Sequence, residues 1–552
     1  MIVIKFIDES MSHSQVGARR NKNIRNHIFL LNGMINEAMQ SKRNIEILIY
    51  DYRQCFDSLW LEECINDLFD AGIQNDHLPL IYEANKTNQV AVKTPFGLSN
   101  RKNVEKIVMQ GEVFGPLQCS VQVDTLAKEC IEENKFLYQY KNEVHVPPLS
   151  MIDDLVCIAE SGIAAVEVNS YINTKTAIKK LQFGAQKCHQ MSIREKEHIC
   201  PELFIDNWQV EKVEDSGEVK DFYKGEINLS KTDAEKYLGD IICKDGKNLK
   251  NIKDRKSKGF GIVQQISSIL ENIFFGPYEI EISLILRKSL LLNGILTNSE
   301  AWYGLKDEEV IHLEQIDETL LRKIFEAPKS TPKCMLYLET GCTPIRFIIR
   351  CRRLMFLQYI LKEDRNSLIS RVFYAQDSNP LKNDWSLTCR EDLKSLAINL
   401  TYEEIRDLSK DQFKRTVKRA VSIQAFRYLM TEKTKLSKVS HIDHAQLEMA
   451  EYLQPHKTSL SMARFIFHAR CRMLDVKSNY KNRYPDLLCP LCCSVSDTQQ
   501  HLLVCDKLVD TSIVSRIPEY EDLFANDVSK IIGVASILKS KWTGRQKMLK
   551  DV

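Results

Sequence analysis

Two adjacent aspartates, Asp153 and Asp154, lie inside an apolar stretch that runs from Leu149 to Ala159. Burying one uncompensated carboxylate is costly, and two neighbouring carboxylates repel each other. The pattern therefore predicts a β-hairpin whose acids meet a cation, and oxygen ligands of this kind suit Mg²⁺. The alternative is an ordinary hairpin with a solvent-exposed Asp-Asp turn.

A third acid, Asp51, ends the apolar run Ile45–Tyr50, whose pattern predicts a buried strand. On its own this acid could equally cap the following helix. Two Mg²⁺ ions bound about 3.5–4 Å apart would clamp the attacking and leaving oxygens of a phosphoryl transfer.

Composition limits the classes of protein that fit. The chain has 552 residues, of which 27% are charged and 44% hydrophobic, and these values exclude a largely disordered protein. The net charge of +2 excludes a generally polybasic nucleic-acid coat, so any nucleic-acid surface must come from local charge. We find no 18-residue apolar run and no signal peptide, and predict a protein of the nucleus and cytoplasm without a membrane partner.

Hydrophobic periodicity predicts a mixed α/β body over about the first 245 residues and an almost entirely helical pattern from about 250 onward. In the first part we predict a helix near 26–40, a core-facing helix on Leu61, Cys64, Ile65, Leu68 and Phe69, a hairpin of 90–92 with 104–108, and a helix from Gly115 to about Ile131. The later helices are predicted near 255–272, 279–297, 307–326, 344–362 and 411–430.

Five motifs follow one another in a fixed direction: Asp51 with Phe56, Gln110-Gly111 with Gly115-Pro116-Leu117, Ile152-Asp153-Asp154, Phe183 with Lys187, and Tyr237-Leu238-Gly239. In this order, over about residues 15–245, they resemble the palm motifs of reverse transcriptases of non-LTR (LINE-type) retrotransposons. The sequence departs from that family's pattern at Gln54, Cys55 and Ile152, and no carboxylate is lost.

The resemblance implies an α+β fold, with a right-hand polymerase palm and fingers followed by helical regions and a small zinc element. The implied domains are partial fingers (1–45), palm (46–245), helical thumb (246–330), helical linker (331–480), a CCHC element (485–510) and a C-terminal tail (511–552). The linker could bind RNA or only connect its neighbours.

The resemblance also implies roles for the catalytic residues. Asp51 and Asp153 would hold two Mg²⁺ ions, Asp154 would assist, and Lys187 would donate a proton to the leaving pyrophosphate. Asp57 belongs to the motif, and we expect it to be structural. An ordinary exposed lysine is the alternative for Lys187.

The substrate-binding residues are inferred in the same way. Phe56 would lie under the sugar and exclude a 2′-hydroxyl, although a simple core role is the alternative. Gln110 and Gly111 would let the backbone approach the template and the nascent base pair. Arg19, with Arg20 and Lys22 beside it, resembles the fingers motif that meets the template and the triphosphate.

The function implied is an RNA-directed DNA polymerase whose partners are an RNA template, a DNA primer or target, and dNTPs. The chain begins at the second fingers motif, so we expect an N-terminally truncated copy and a separate endonuclease. The alternative is a catalytically weak or inactive copy that binds nucleic acid. A viral RNA-dependent RNA polymerase shares the palm, but Phe56 at the sugar position argues against it.

The spacing Cys489-x2-Cys492-x8-His501-x3-Cys505 predicts a tetrahedral Zn²⁺ site. The other cysteines among the 17 are scattered, which favours zinc over a chance cluster, and we expect the adjacent Cys493 not to be a ligand. This Cys-Cys-His-Cys motif resembles the one that follows the polymerase in many non-LTR retrotransposons. Such a motif could bind nucleic acid or be purely structural.

Two further stretches are rich in basic residues and could contact the phosphates of an RNA–DNA hybrid. One runs from Tyr237 to Lys258, and the other holds Lys414, Arg415, Lys418, Arg419 and Arg427. Solvated helix faces are the alternative for both.

Overall fold

The structure is a computed structural model. It describes residues 7–73, 76–86, 89–103, 115–194, 201–212, 219–508, 519–525 and 527–550. The chain forms two compact units. The first unit comprises Met1–Asn251, Asn298–Leu305 and Phe356–Glu391; the second comprises Ile252–Thr297, Lys306–Met355 and Asp392–Val552.

A five-stranded sheet lies at the centre of the first unit. Its order is Ser230–Lys231, His189–Ile193, Ile45–Tyr50, Asp154–Ala159 and Leu149–Met151. All neighbours are antiparallel except the first pair. The central strand Ile45–Tyr50 is buried along its whole length, as its continuous apolar run predicts. Its one acid, Glu46, accepts hydrogen bonds from Gln190 Nε2 (2.9 Å) and Ser192 Oγ (2.7 Å).

Helices and short hairpins surround this sheet. The α-helices are Ile24–Gln40, Cys55–Ser58, Leu61–Asp70, Leu78–Lys86, Gly115–Glu132, Gly162–Ile178 and Leu368–Ser378. The remaining strands pair as Gln89–Val90 with Lys102–Asn103, Lys93–Thr94 with Gly97–Leu98, Tyr138–Tyr140 with Val144–Val146, Phe204–Lys212 with Val219–Asn228, and Ala234–Tyr237 with Asp240–Cys243.

Residues far apart in sequence complete the core of the first unit. The ring of Phe29 lies 5.2 Å from that of Trp385 and 5.9 Å from that of Phe356, both in edge-on contacts. Lys141 Nζ lies 2.7 Å from Asp384 Oδ2, and both side chains are buried. The segment 356–391 is thus part of this core rather than an appendage to it.

Among its described residues, the regular secondary structure of the second unit is helical, apart from isolated bridges such as Leu488 with Ser496. Its α-helices are Glu279–Leu286, Asn293–Ile295, Asp307–Phe325, Lys333–Thr340, Tyr402–Asp407, Lys410–Thr434, Leu460–Arg470, Gln499–Val504 and Val528–Met548. The turn Arg287–Leu292 is a π-helix. Three helices contain a boundary between the units: Leu249–Asn272, Ile345–Lys362 and Trp385–Ser395. Within the described ranges, we find no helix long and apolar enough to cross a membrane.

The predicted elements of the first unit are present, with two differences. Phe69, predicted to face the core, is 55% exposed. The buried face of its helix includes Asp67, which is ion-paired to Lys179, and this turns Phe69 outward. The hairpin around Thr94–Gly97 is formed, whereas its predicted second strand, 104–108, lies outside the described residues.

Candidate active site and zinc-ligand group

Strand pairing places Asp51 beside the acidic pair. Tyr50 is the partner of Leu155 in an antiparallel register, so the next residues in line are Asp51 and Asp154. Asp153 lies in the turn that precedes Asp154. All three carboxylate residues are partly exposed at this end of the sheet. The structure therefore brings together the three acids that the motifs singled out.

The backbone on the other side of Asp51 is also fixed. The Gly184 N–H donates to the Asp51 carbonyl (2.8 Å), and the Arg53 N–H donates to the Gln182 carbonyl (2.7 Å). A Cβ added at Gly184 would lie 2.9 Å from Asp51 Oδ1. Any residue with a side chain at position 184 would therefore displace the Asp51 carboxylate.

Lys187 follows on the same segment, in the short helix Ala185–Lys187. Its Nζ lies 3.2 Å from both carboxylate oxygens of Asp51. The hydrogen bond to Asp51 raises the pKa of Lys187, which keeps the ammonium protonated. The side chain is 72% exposed, so it can leave Asp51 when another cation binds there.

Negative charge is concentrated at the paired acids. Burial, together with the charges of Asp153 and Asp51, raises the pKa of Asp154 to about 6. The pKa of Asp153 is raised by burial and by Asp51. Crowded carboxylates of this kind favour a bound cation, and an all-oxygen donor set fits Mg²⁺.

The turn that carries Asp153 is supported by a residue that the motif analysis did not assign. Ile152 has a φ of 58°, an uncommon conformation for a β-branched residue. Its N–H donates to Gln15 Oε1 (3.1 Å), which also accepts from the Gly17 N–H (2.7 Å). A Cβ at Gly17 would lie 2.4 Å from the Ile152 nitrogen. The segment 14–17 thus fixes the acidic turn.

A buried histidine links this segment to the Tyr237 motif. His27 Nε2 lies 2.8 Å from the Ser14 carbonyl, which can only accept, so Nε2 carries the proton. Nδ1 must then accept from the Tyr237 hydroxyl, 3.0 Å away. The same Ser14 carbonyl accepts from the Ser150 N–H (3.1 Å) at the base of the acidic hairpin.

Arg19 and its basic neighbours are largely engaged inside the first unit. The Arg19 guanidinium contacts Asp8 Oδ1 (2.7 Å) and the Gln15 carbonyl (3.0 Å), and its side chain is only 7% exposed. Lys22 Nζ lies 2.6 Å from Glu363 Oε2. Arg20 is exposed.

Of the other predicted substrate-binding residues, the structure describes Phe56 but not Gln110 or Gly111. Phe56 is partly buried and packs against the core cluster that includes Tyr52 and Cys55. Gln110 and Gly111 lie outside the described residues, as does the side chain of Asp57.

The four predicted zinc ligands come together in the second unit. One donor atom from each of Cys489, Cys492, His501 and Cys505 lies within 4.8 Å of the others. Cys489 Sγ and Cys505 Sγ are 4.0 Å apart, and Cys492 Sγ is 3.3 Å from His501 Nε2. In the described part of the chain, no other group of three or more candidate ligands is gathered this closely.

These separations match the edges of a tetrahedron with metal–ligand bonds of roughly 2.0–2.3 Å. Three sulfurs and one imidazole nitrogen are the donor set of structural zinc sites, so the group fits Zn²⁺. Cys493 is exposed beside the group, with a φ of 57°, and is not among the four gathered residues.

An ion pair attaches this element to the rest of the second unit. Asp497 accepts from Arg545 Nη1 (2.9 Å) and Nη2 (2.8 Å), and both side chains are buried. Asp497 Oδ2 also accepts from the Lys477 N–H (2.8 Å).

Residues 1–242 match the family model of reverse transcriptase (RNA-dependent DNA polymerase). These residues therefore resemble a reverse transcriptase domain. The predicted fold class is confirmed: a reverse transcriptase-like α+β body, a helical C-terminal region and a Cys/His group near the end.

Solved structures with partial similarity are telomerases. The apo enzyme of Candida tropicalis is 12% identical with a TM-score of 0.33, over 76% of this chain and 60% of that chain. In complex with a TWJ fragment of telomeric RNA, it is 14% identical with a TM-score of 0.32, over 73% and 53%. Telomerase of Candida albicans with the same RNA fragment is 11% identical with a TM-score of 0.30, over 55% and 51%.

This chain therefore spans between about half and three fifths of the length of those telomerases. No curated protein matches the sequence. The assignment rests on the family match over residues 1–242.

Proposed function

We propose that this protein is the RNA-directed DNA polymerase of a non-LTR retrotransposon, which extends a primer 3′-hydroxyl with dNTPs on an RNA template. The observation that carries the proposal is the strand register that brings Asp51 beside Asp153 and Asp154, within residues that match the reverse transcriptase family. The order of the five motifs supports the non-LTR type.

In the proposed reaction, the primer 3′-oxygen forms a bond to the α-phosphorus of the dNTP, and the bond from that phosphorus to the bridging oxygen breaks. Pyrophosphate leaves with the electron pair of the broken bond, and the proton of the 3′-hydroxyl passes to water. Asp51 and Asp153 would hold two Mg²⁺ ions, which when bound would acidify the 3′-hydroxyl and neutralise the leaving group. Asp154 would add negative charge beside those ligands.

Two other side chains would act on the substrate. Lys187 Nζ, which is exposed and protonated, would give a proton to the leaving pyrophosphate. Phe56 would offer a ring face to the sugar and leave no room for a 2′-hydroxyl. Gln110 and Gly111 would contact the template and the incoming nucleotide, whereas the Arg19 guanidinium is engaged by Asp8.

The Cys489, Cys492, His501 and Cys505 group would hold Zn²⁺ and fix the fold of the terminal element. The partners would be an RNA template and a nicked DNA target whose 3′-end serves as primer, so a separate endonuclease activity would supply the nick. We expect the protein to act in the nucleus and to be present in the cytoplasm.

The second candidate function is nucleic-acid binding by a catalytically weak or inactive copy. The observation that favours it is the engagement of Arg19 by Asp8 and backbone carbonyls, which removes a cation from the predicted triphosphate contact.

Primer extension separates the two functions. The purified chain is given poly(rA)/oligo(dT), Mg²⁺ and dTTP, beside Asp153→Ala and a matched control, Asp76→Ala, which removes an exposed acid from the same unit. The polymerase proposal predicts incorporation by the wild type and the control, and a loss of at least 100-fold in Asp153→Ala. If the folded wild-type protein binds the hybrid but does not incorporate dTTP, the polymerase proposal is wrong and the nucleic-acid-binding function is supported.

A nicked duplex then tests the non-LTR assignment. With the RNA template present, the 3′-end of a nick should be extended in cis, and an intact duplex should not. Equal use of both DNAs would contradict target-primed synthesis.

A further inference from the structure

A polar cleft of about 810 Å³ lies beside the zinc-ligand group in the second unit. Its walls come from the segment around Lys438, from Arg472 and from the 3-10 segment Lys477–Arg483. Residues 498–500, immediately before the ligand His501, close one side. We call it the basic cleft.

Four cations line the basic cleft: Lys438, Arg472, Lys481 and Arg483. No acidic residue is among the described residues of its wall, and none of the four cations has a salt bridge within the described part of the chain. This differs from the larger cavity of about 1070 Å³ in the same unit, where Arg464 is paired with Glu279.

Among the four cations, Arg472 is partly buried, whereas Lys438, Lys481 and Arg483 are exposed. The Arg472 Nε is buried and lacks a hydrogen-bond partner. Burial and the nearby charge of Arg472 lower the pKa of Lys438. Burial and Arg472 also lower the pKa of His441. Cations held together against mutual repulsion favour a polyanionic ligand.

Tyr480 gives two of these cations defined positions. The Arg483 guanidinium carbon lies 4.7 Å from the ring centroid, and Lys438 Nζ lies 5.5 Å from it. The Tyr480 hydroxyl donates to the Met473 carbonyl (3.1 Å), which fixes the ring. Lys438 Nζ also donates to the Asn479 carbonyl (2.6 Å). These contacts give Lys438 and Arg483 defined positions on the wall of the cleft.

The remaining wall is suited to a strand with polar bases. Asn482 and Gln500 are exposed on the cleft, and an amide both donates and accepts hydrogen bonds. A volume of about 810 Å³ lies within the roughly 300–1,000 Å³ of ordinary ligand clefts. It can hold a few nucleotides of a single strand and is too small for a duplex.

We propose that the basic cleft binds the phosphodiester backbone of a single nucleic-acid strand, with Lys481, Arg483, Lys438 and Arg472 as its phosphate contacts. This site is separate from the aspartate site, and the inference does not require polymerase activity. RNA and single-stranded DNA share the chemistry that the cleft would recognise, and the experiment distinguishes them.

Binding of the full chain to labelled 20-nucleotide RNA and single-stranded DNA can be followed by fluorescence anisotropy. The test variant is Lys481→Gln/Arg483→Gln. The matched control, Lys547→Gln/Lys550→Gln, removes the same charge from exposed positions at the end of the helix Val528–Met548. We expect at least a 10-fold loss of affinity in the cleft variant and less than a 2-fold loss in the control.

The salt dependence adds a second readout. Loss of two phosphate contacts should reduce the slope of log K against log salt by about 1.4 for a single strand. An unchanged slope, an equal loss in both double variants, or displacement of RNA by polyglutamate at equal charge would each overturn the proposal. A stronger effect on the RNA or on the DNA probe would identify the strand.

A third variant separates binding from folding. Arg472 has a φ of 52°, a conformation that glycine adopts readily, so Arg472→Gly removes a cleft cation at a position where glycine relieves backbone strain. It should weaken strand binding while the melting temperature and the bound zinc stay unchanged. Unchanged affinity in a folded Arg472→Gly protein would contradict the assignment of this side chain.

Primer extension by the cleft variant keeps the two proposals apart. At saturating poly(rA)/oligo(dT), the cleft variant should extend as fast as the wild type. If the wild type does not extend at all, the anisotropy results still decide whether the cleft binds a strand.

Discussion

At the residue scale, the position of the Asp51 carboxylate depends on the absence of a side chain at Gly184. The contact distance of 2.9 Å between an added Cβ and Asp51 Oδ1 is shorter than ordinary van der Waals contact. Because this neighbour is the end of a side chain, the carboxylate would move and the fold would stay.

We therefore predict that Gly184→Ala lowers primer extension about 10-fold or more while the melting temperature changes little. The control is Gly261→Ala, where the new Cβ meets nothing within 4 Å in the helix Leu249–Asn272. That change should leave extension unaltered and be neutral or stabilising by about 0.5–1 kcal/mol. Equal activity of both variants and the wild type would show that the position of Asp51 is not critical.

The sequence identified the three acids because their spacing and order are visible in a single chain. It did not reveal the function of Gln15, whose side chain contacts Ile152, 137 residues away. A glutamine two residues before Gly17 carries no distinctive local signal. Nor could the sequence show that the Arg19 guanidinium is held by Asp8, since the contact depends on how the chain folds back.

At the scale of elements, His27 couples the helix Ile24–Gln40 to the strand Ala234–Tyr237. Burial lowers the pKa of His27 to about 4, against 6.5 in an exposed histidine. The unfolded chain takes up a proton near pH 6.5, whereas the folded chain resists it until about pH 4. The stability that this residue contributes is therefore full above pH 6.5 and is lost as the pH falls towards 4.

We predict that the free energy of unfolding of the wild type falls by up to about 3 kcal/mol more than that of His27→Gln between pH 7 and pH 4. Glutamine can donate to the Ser14 carbonyl and accept from Tyr237 without titrating in this range. Urea unfolding at both pH values measures the difference. Parallel pH profiles of the two proteins would show that His27 is not the titrating group.

The zinc-ligand group is an element whose fold depends on its ligands. We predict that Cys489→Ser lowers the melting temperature and the zinc content, because a structural zinc site contributes folding free energy directly. Cys493→Ser is the matched control, since this exposed neighbour is not among the gathered ligands. Chelation with phenanthroline should reproduce the first result, and identical melting of untreated and chelated protein would exclude a structural metal.

The basic stretch from Tyr237 to Lys258 shows that a count of basic residues does not reveal which of them are engaged inside the fold. Arg255 is buried and donates to the Gly294 carbonyl (3.1 Å), and Lys256 donates to Gln315 Oε1 (2.7 Å). Lys250 and Lys253 are exposed. The sequence predicted the helix correctly, because periodicity is local, but it could not tell which cations are used inside the fold.

At the scale of the whole molecule, the compact units do not follow the order of the chain. We predicted consecutive regions, 246–330 and 331–480, and these functional divisions remain predictions. The first unit takes up Asn298–Leu305 and Phe356–Glu391 as well as the N-terminal 251 residues. Hydrophobic periodicity shows that a helix has a buried face, but it does not show which core that face joins.

A substitution of Trp385 tests how much the segment Phe356–Glu391 contributes to the stability of the first unit. The side chain is fully buried against Phe29, and its Nε1 donates to the Glu300 carbonyl (2.7 Å). We predict that Trp385→Ala destabilises the first unit by about 3–5 kcal/mol. The control is Phe96→Ala, which removes a 99% exposed ring from the same unit and should cost little.

Chemical denaturation followed by circular dichroism measures both changes. A loss in Trp385→Ala no larger than that in Phe96→Ala would mean that residues 356–391 do not support the N-terminal sheet.

The discontinuous first unit has a consequence for how the protein is made. After Asn251 has been added to the chain, 140 more residues must be synthesised before Glu391 completes the same unit. At about 5–20 residues per second this takes roughly 7–28 s. During that time the partners of Phe29 are missing, so the nascent chain exposes an unfinished apolar surface and is a natural client for ribosome-associated chaperones.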